Sequence, residues 1–305
     1  MPIIIGGRIS GGKIFSLSGG ASSPAAVFQG SNFGYSSGGF APGARNTIDK
    51  FPFASDANAT GACVLTQARF YAAGQSSTIS GYNSGGRTPA YSNVIDKFPF
   101  ASDANATYAG VLTQARFGLA GQSSTISGYS SGGVPSSNII DKFPFASDVN
   151  ATNVGVLTQI RWYVAGQSST VSGYTSGGTF PVAATIDKFP FASDANATNV
   201  GVLTQAKYNP TGQSSTVSGY SSGGSPNQNN IEKFPFASDA NATNVGVLTL
   251  SRDSSAGQSS TISGYNSGGY PNQNTIDKFP FSSDANATDV GDLTLIRYGL
   301  AGQQY

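Results

Sequence analysis

At 305 residues, with a formal net charge of +1, a 10% charged fraction and forty glycines, the chain has neither the basic excess of a nucleic-acid binder nor the composition of a helical repeat. No apolar stretch approaches transmembrane length, and the start Met1-Pro-Ile-Ile-Ile-Gly-Gly-Arg8 lacks the pattern of a signal peptide. Nucleic-acid partners, membrane insertion and secretion by the usual route are therefore not expected, and the single Cys63, taken as an inert residue at an apolar position, excludes an internal disulfide framework.

Residues 1–23, with Ile3-Ile4-Ile5 and the run from Lys13 to Leu17, stand apart as an N-terminal extension, an added strand or a docking segment. From about Phe28 onward the chain is one unit of about 46 residues written six times: Ile48-Asp-Lys-Phe-Pro-Phe53 returns at Ile95, Ile140, Ile186, Ile231 and Ile276. Self-similarity at this period marks a solenoid, a propeller or an array, because one such unit cannot bury its apolar face alone. In the unit from 69 to 116, strands are expected at Arg69–Ser77, Ser80–Gly86, Ser92–Phe98 and Gly110–Gln114. Identical units joined in a closed meander need an even number of strands, and four in about 46 residues is the ratio of a propeller blade. The expected fold is an all-β, six-bladed β-propeller of four-stranded antiparallel blades over residues 24–305. The first copy starts late and the last ends early, so Tyr298–Tyr305 would supply the innermost strand of the first blade, with residues 24–30 as the alternative supplier.

The chain resembles the kelch repeat. The likeness runs through a basic residue (Arg69), a strand of small residues, Tyr82, the pair Gly85-Gly86, an apolar strand ending near Pro99, and an Asp-Asn turn leading to Arg116. It covers roughly nine tenths of the chain, although Thr107-Tyr-Ala-Gly110 and its copies lack the tryptophan that kelch repeats often carry there. The wording Ile-Asp-Lys-Phe-Pro-Phe-Ala-Ser-Asp-Ala-Asn-Ala-Thr is also similar to propeller-like repeat proteins of marine bacteriophages. That second resemblance implies a virion or host-contact role.

Asp56-Ala-Asn58-Ala-Thr60 and its five copies have the opening spacing of a calcium loop but no downstream bidentate Glu. They read instead as turns in which Asp and Asn bond to nearby backbone N–H groups, so no metal or cofactor is expected. The Asp49-Lys50 pair, the turn Asp56 and the basic residue Arg69 recur in every unit, with Glu232-Lys233 and Lys207 as variants. Charges repeated sixfold suit blade-to-blade pairing or turn capping better than one active centre. Pro52 and its copies, lacking an N–H, mark a strand end or bulge. Histidine is absent, which excludes a Ser-His-Asp triad and any imidazole-held metal. Two carboxylates would suffice for a glycosidase, but only Asp253, Asp289 and Asp292 escape the repeated positions, and no enzyme is expected.

Two segments per unit escape the repetition. One follows the Gly-Gly pair (40–47, 87–94, 134–139, 179–185, 225–230, 270–275); the other follows the basic residue (70–72, 117–119, 162–164, 208–210, 253–255, 298–300). In a four-stranded blade both project from the same end, and variable loops on a rigid scaffold are where binding usually resides. That end is rich in rings suited to stacking on sugars or anchoring proteins: Trp162, Tyr163, Phe180 and Tyr208 as the preferred patch, joined by Tyr91, Tyr270 and Arg87. Phe70, Phe117 and Tyr298 are equally well read as packing between blades. The expectation is a non-enzymatic binding module contacting a host-surface glycan or protein receptor, with other virion proteins met through residues 1–23. The rival is a structural building block whose contacts lie on the constant face or in residues 1–23.

Overall fold

The computed structural model describes residues 29–305, apart from 227 and 272. Among the described residues there is no helix, and 24 strands form six four-stranded antiparallel sheets. The first blade holds β1 (Phe33–Ser37), β2 (Thr47–Pro52) and β3 (Thr60–Val64); the second β4 (Ala73–Ser76), β5 (Ser80–Ser84), β6 (Val94–Pro99) and β7 (Thr107–Val111). The third is β8 (Ala120–Ser123), β9 (Ser127–Ser131), β10 (Ile139–Pro144) and β11 (Thr152–Val156), and the fourth β12 (Ala165–Ser168), β13 (Ser172–Ser176), β14 (Thr185–Pro190) and β15 (Thr198–Val202). The fifth is β16 (Thr211–Ser214), β17 (Ser218–Gly224), β18 (Gln228–Pro235) and β19 (Thr243–Val247); the sixth is β20 (Ala256–Ser259), β21 (Ser263–Gly269), β22 (Gln273–Pro280) and β23 (Thr288–Asp292). The last strand, β24 (Ala301–Gln304), returns to pair with β1 in the register Gly34↔Gln304 to Ser37↔Ala301. The ring is thus a six-bladed β-propeller closed by strands from opposite ends of the chain.

Glycine sets how tightly the ring closes. The inner strands β4, β8, β12, β16, β20 and β24 pack in a cycle around the axis. Gly74, Gly121, Gly166, Gly212, Gly257 and Gly302 abut one another there: a Cβ on Gly74 would stand 2.1 Å from the Gly302 carbonyl oxygen, and one on Gly302 2.1 Å from that of Gly257. Only a residue without a side chain admits this approach.

Between blades, each second-strand tyrosine packs on two phenylalanines of the next blade. Tyr35 meets Phe98 and Phe100 at 5.5 and 5.0 Å, and the series ends with Tyr265 on Phe51 and Phe53 at 5.5 and 4.8 Å. Each such pair adds about 0.5–1.5 kcal/mol beyond its buried area. Beside them lie ion pairs removed from water: Arg69–Asp96 at 2.8 Å, Arg116–Asp141 at 2.9 Å, Arg161–Asp187 at 2.8 Å, Arg297–Asp49 at 3.0 Å, and Arg252–Asp277. The guanidinium of Arg116 also donates to the carbonyls of Ser130, Gly132 and Ile139, while Asp141 accepts from the backbone N–H and hydroxyl of Thr113 in the preceding blade. Pairing with the carboxylate and bonds to backbone carbonyls offset the desolvation of these guanidinium groups, although the Nε–H of each of the five arginines has no partner among the described residues. The fifth copy exchanges both partners, the shorter Lys207 being matched by the longer Glu232 at 3.6 Å. Burial pushes the Lys207 ammonium down to about 8, against the opposing pull of Glu232.

The paired charges of the repeat therefore join blades. The turn residues do so as well: Lys50, Lys97, Lys142, Lys188, Lys233 and Lys278 each reach a turn Asp of the next blade, the last closing the circle on Asp56 at 2.8 Å. Asn105 Oδ1 accepts the N–H of Val64, and Asn58 Oδ1 that of Asp292. For the turn Asp this is the blade-to-blade alternative; the Asn, expected to bond within its own turn, bridges as well, because each turn lies against the outer strand of the preceding blade.

Other expectations need correction. The inner strand is only Ala73–Ser76, since Arg69 to Ala72 serve the ion pair and the axial connection, and the outer strand is Thr107–Val111, three residues earlier than expected. A bulge between Ile95 and Asp96 in the β6–β7 pairing accompanies that shift. Pro52 and its copies do end their strands. Residues 29 and 30 do not form an inner strand: Gln29 Nε2 donates to Ser214 O at 3.0 Å and Gly30 N to Ser259 O at 2.8 Å, across the inner strands of two other blades. The rest of the 24–30 alternative and the proposed extension 1–23 lie outside the described residues. Cys63 does not replace an apolar residue. It aligns with Gly110, Gly155, Gly201, Gly246 and Gly291, where a Cβ would stand within 2.4–2.6 Å of a neighbouring carbonyl oxygen. Its thiol is half-buried and pushed up to about 11 by desolvation, with Asp103 adding to the rise. Among the described residues, no helix is long and apolar enough to cross a membrane.

Candidate recognition face

The connections β5–β6 and β7–β8, and their equivalents, leave one end of the disc; the nearly constant hairpins leave the other. The backbone joins the two variable segments directly. Phe70 and Arg87 exchange both hydrogen bonds at 3.0 and 2.8 Å, and the same bridge links Phe117 to Val134, Trp162 to Thr179, Tyr208 to Ser225, Asp253 to Tyr270 and Tyr298 to Phe40. Variation in one segment is therefore always presented beside variation in the other.

A second backbone ring surrounds the axis at this end. Tyr71, Gly118, Tyr163, Asn209, Ser254 and Gly299 all have φ between +53° and +68°. Each donates its N–H to the carbonyl of the previous member, from Gly118 to Tyr71 at 2.8 Å round to Tyr71 to Gly299 at 2.7 Å. Left-handed backbone strains Tyr and Ser, and the closed ring of hydrogen bonds holds it. Inside lies a cavity of about 60 Å³ reached by Tyr71, Tyr163, Asn209 and Ser254. The Tyr71 hydroxyl crosses to Ser254 Oγ at 3.3 Å, and burial raises the Tyr71 phenol above its ordinary range.

The rings divide into two groups. A continuous arc runs from Tyr270 onto Tyr298 at 5.6 Å, through Phe40 and Phe70, to Tyr71, which meets Tyr163 at 5.1 Å and Phe117 at 6.3 Å. Tyr91 packs on Phe117 at 5.0 Å, and the Arg87 guanidinium lies 5.5 Å over the same ring. The second group is one pair: Trp162 and Phe180 stack at 4.8 Å with planes 25° apart.

The expected patch of Trp162, Tyr163, Phe180 and Tyr208 is thus split. Tyr163 turns to the axis and joins the arc, while Tyr208, half-buried, shares no ring contact with the other three among the described residues. Rings on adjacent blades need not meet, because each connection sets its own direction. Tyr91, Tyr270 and Phe180 are exposed at 44, 52 and 60%, Arg87 is also exposed, and Phe117 is buried between blades. Tyr71, Asn209 and Ser254 were missed as a group. Their aligned column, Tyr, Gly, Tyr, Asn, Ser, Gly, carried a signal, since Gly and Asn are the types that most readily accept left-handed backbone. Asp253 is the one carboxylate of this face outside the repeated positions; it accepts from the Ser254 hydroxyl at 2.6 Å, and burial raises its pKa. Among the described residues no cluster of His, Cys, Asp or Glu could hold a metal ion.

No known protein family matches the chain, and no match is found among curated proteins.

Proposed function

We propose that this propeller is a non-enzymatic binding module, a phage virion or surface protein that contacts a host receptor or glycan through its variable face. The observation that carries the reading is the bridge between the two variable segments in all six blades, which gathers the chain's sequence diversity onto one end of an otherwise repetitive disc. Chemistry is a poor alternative use. Twelve of the acids and twelve of the bases are engaged in the twelve blade-to-blade pairs, and histidine is absent. Asp289 and Asp292 lie on the outermost strand β23, far in the topology from Asp253. The kelch-like order of residues and the likeness to phage repeat proteins favour the same reading at the level of family.

The test is attachment of the purified protein to host cells and to a glycan array. Trp162→Ala with Tyr208→Ala is expected to weaken attachment at least tenfold with an unchanged melting temperature, whereas Ile126→Ser on the constant face leaves it intact. Normal attachment by the double variant and by a Tyr71→Ala, Tyr270→Ala variant would remove the recognition-face reading.

One observation favours a second reading, a structural building block. Ile79, Ile126, Val171, Val217 and Ile262 stand 66–71% exposed at the tips of five inner hairpins of the constant face. If Ile126→Ser and Ile262→Ser abolish incorporation into a larger assembly while attachment survives, that face is the essential contact.

A further inference from the structure

We infer that the Trp162–Phe180 pair is a stacking platform for an uncharged pyranose ring, a sugar subsite separate from the axial aromatic arc. The inference rests on the recognition-face reading and narrows it to one site and one ligand class.

The six copies act as controls for one another. After the Gly-Gly pair, the third, fifth and sixth blades use six residues that begin with one residue and a proline: Val134-Pro135, Ser225-Pro226 and Tyr270-Pro271. The fourth blade uses seven, Thr179-Phe180-Pro181 and onward, so Phe180 is the added residue. Its sister blades form the same backbone bridge without it, as Val134 does with Phe117 and Ser225 with Tyr208. The fold therefore does not require Phe180.

What the addition creates is costly in two ways. Phe180 sits at φ +101°, a region that a bulky residue occupies only under constraint, and such strain collects at ligand-holding sites. It also leaves a phenyl ring 60% exposed, stacked on Trp162 rather than covered by it. Trp162 is the chain's only tryptophan, and it occupies the position where other blades place Phe70, Phe117, Tyr208, Asp253 or Tyr298.

The surroundings indicate what would cover the ring. Apart from the buried Arg161 pair, the segments 162–164 and 179–185 that carry the two rings, and the next pair in chain order, 208–210 and 225–230, contain no charged residue. A pyranose offers an apolar C–H face to an aromatic plane and carries no charge that would call for an ionic partner. An anionic sugar would find no cation here; Arg87 lies over Phe117 in the other group.

Because Trp162 is unique, its fluorescence reports this site alone. The experiment titrates the full chain with neutral linear oligosaccharides of glucose, mannose and galactose, with polygalacturonate as the acidic comparison. At least one neutral series is expected to shift Trp162 emission and to protect it from acrylamide quenching, with polygalacturonate inactive. Deleting Phe180, which restores the loop length of the sister blades, is expected to weaken that binding at least tenfold without moving the melting temperature. No response to any neutral sugar, preference for the acidic one, or equal binding by the deletion variant overturns the proposal. Host attachment separates the two readings. Loss of attachment in the Tyr71→Ala, Tyr270→Ala variant but not in the Phe180 deletion leaves the recognition face standing and sinks this subsite, whereas loss in neither sinks both.

Discussion

The interior between the blades and the variable face use the same residue types differently. Between blades, Tyr220 is 2% exposed and stacked on Phe281 of the next blade at 4.9 Å, one of six equivalent tyrosines. On the variable face, Tyr270 stands 52% exposed, and its one ring contact among the described residues is edge-to-face with Tyr298 at 5.6 Å. Charges follow the same division: the buried Arg–Asp pairs recur with one compensated exchange, while Arg87 and Asp253 occur once each, in variable segments. A side chain repeated sixfold is explained by its neighbour in the next blade. A side chain present once is not, and that difference separates structural from recognition chemistry within a single chain.

The comparison breaks first if the repeated pairs prove dispensable. Arg116→Met leaves Asp141 buried with only the Thr113 contacts, and removing one partner of such a pair costs about 3–5 kcal/mol. Urea unfolding should show a loss of that size. Arg116→Met with Asp141→Leu should recover part of it, since no buried charge then lacks a partner. A single variant as stable as the parent would mean that the interior pairs contribute nothing to blade-to-blade cohesion.

The exchanged pair gives a second handle, with a defined sign. The Lys207 ammonium has a folded pKa of about 8, below its value in an unfolded chain, so between these values the unfolded state binds the extra proton. Stability should therefore be reduced below about pH 8 and rise as pH increases toward 10, with a slope of at most about 1.4 kcal/mol per pH unit. Lys207→Arg with Glu232→Asp, the wording of the other five copies, should flatten that rise. If parent and variant have the same pH dependence, the fifth junction is no different from its sisters.

The ring was legible because Ile48-Asp-Lys-Phe-Pro-Phe53 and its copies give the period, and because late start and early finish gave the closing strand. Pairing of the repeated charges between blades was legible as one of two alternatives, but which group meets which was not. Asp56 and Asn58 look like local turn formers, and nothing in their spacing tells that the partners are Lys278 and the N–H of Asp292, more than 200 residues away. The axial ring was hidden for the same reason, since a left-handed residue is held there by the carbonyl of a different blade. At the recognition face the sequence located the loops, but ring directions depend on backbone angles such as the +55° of Tyr163 and the +101° of Phe180, which separate neighbours in the sequence into different groups.

A smaller effect is expected where repetition and exposure coincide. Lys97 and Asp148 pair at 3.0 Å with side chains 28 and 49% exposed. Lys97→Ala should cost about 0.2–1 kcal/mol at low salt and less at 1 M, where screening removes most of the attraction. A loss as large as that of Arg116→Met would place cohesion in the outer circle of pairs instead of the inner one.

The smallest effect on stability should come from a ring as large as any in the interior. Tyr270→Ala removes a half-exposed side chain, and the backbone bridge from Asp253 to residue 270 does not depend on it. Surface changes of this kind usually stay within about 0.5 kcal/mol. Tyr220→Ala, by contrast, takes a ring from between Phe279 and Phe281, and loss of a buried aromatic costs about 3–5 kcal/mol. Parallel urea titrations of the two variants measure one substitution in two settings, with total side-chain loss held constant. Equal losses would show that the variable-face rings are structural after all, because a ring that supports the fold cannot also be free for a partner.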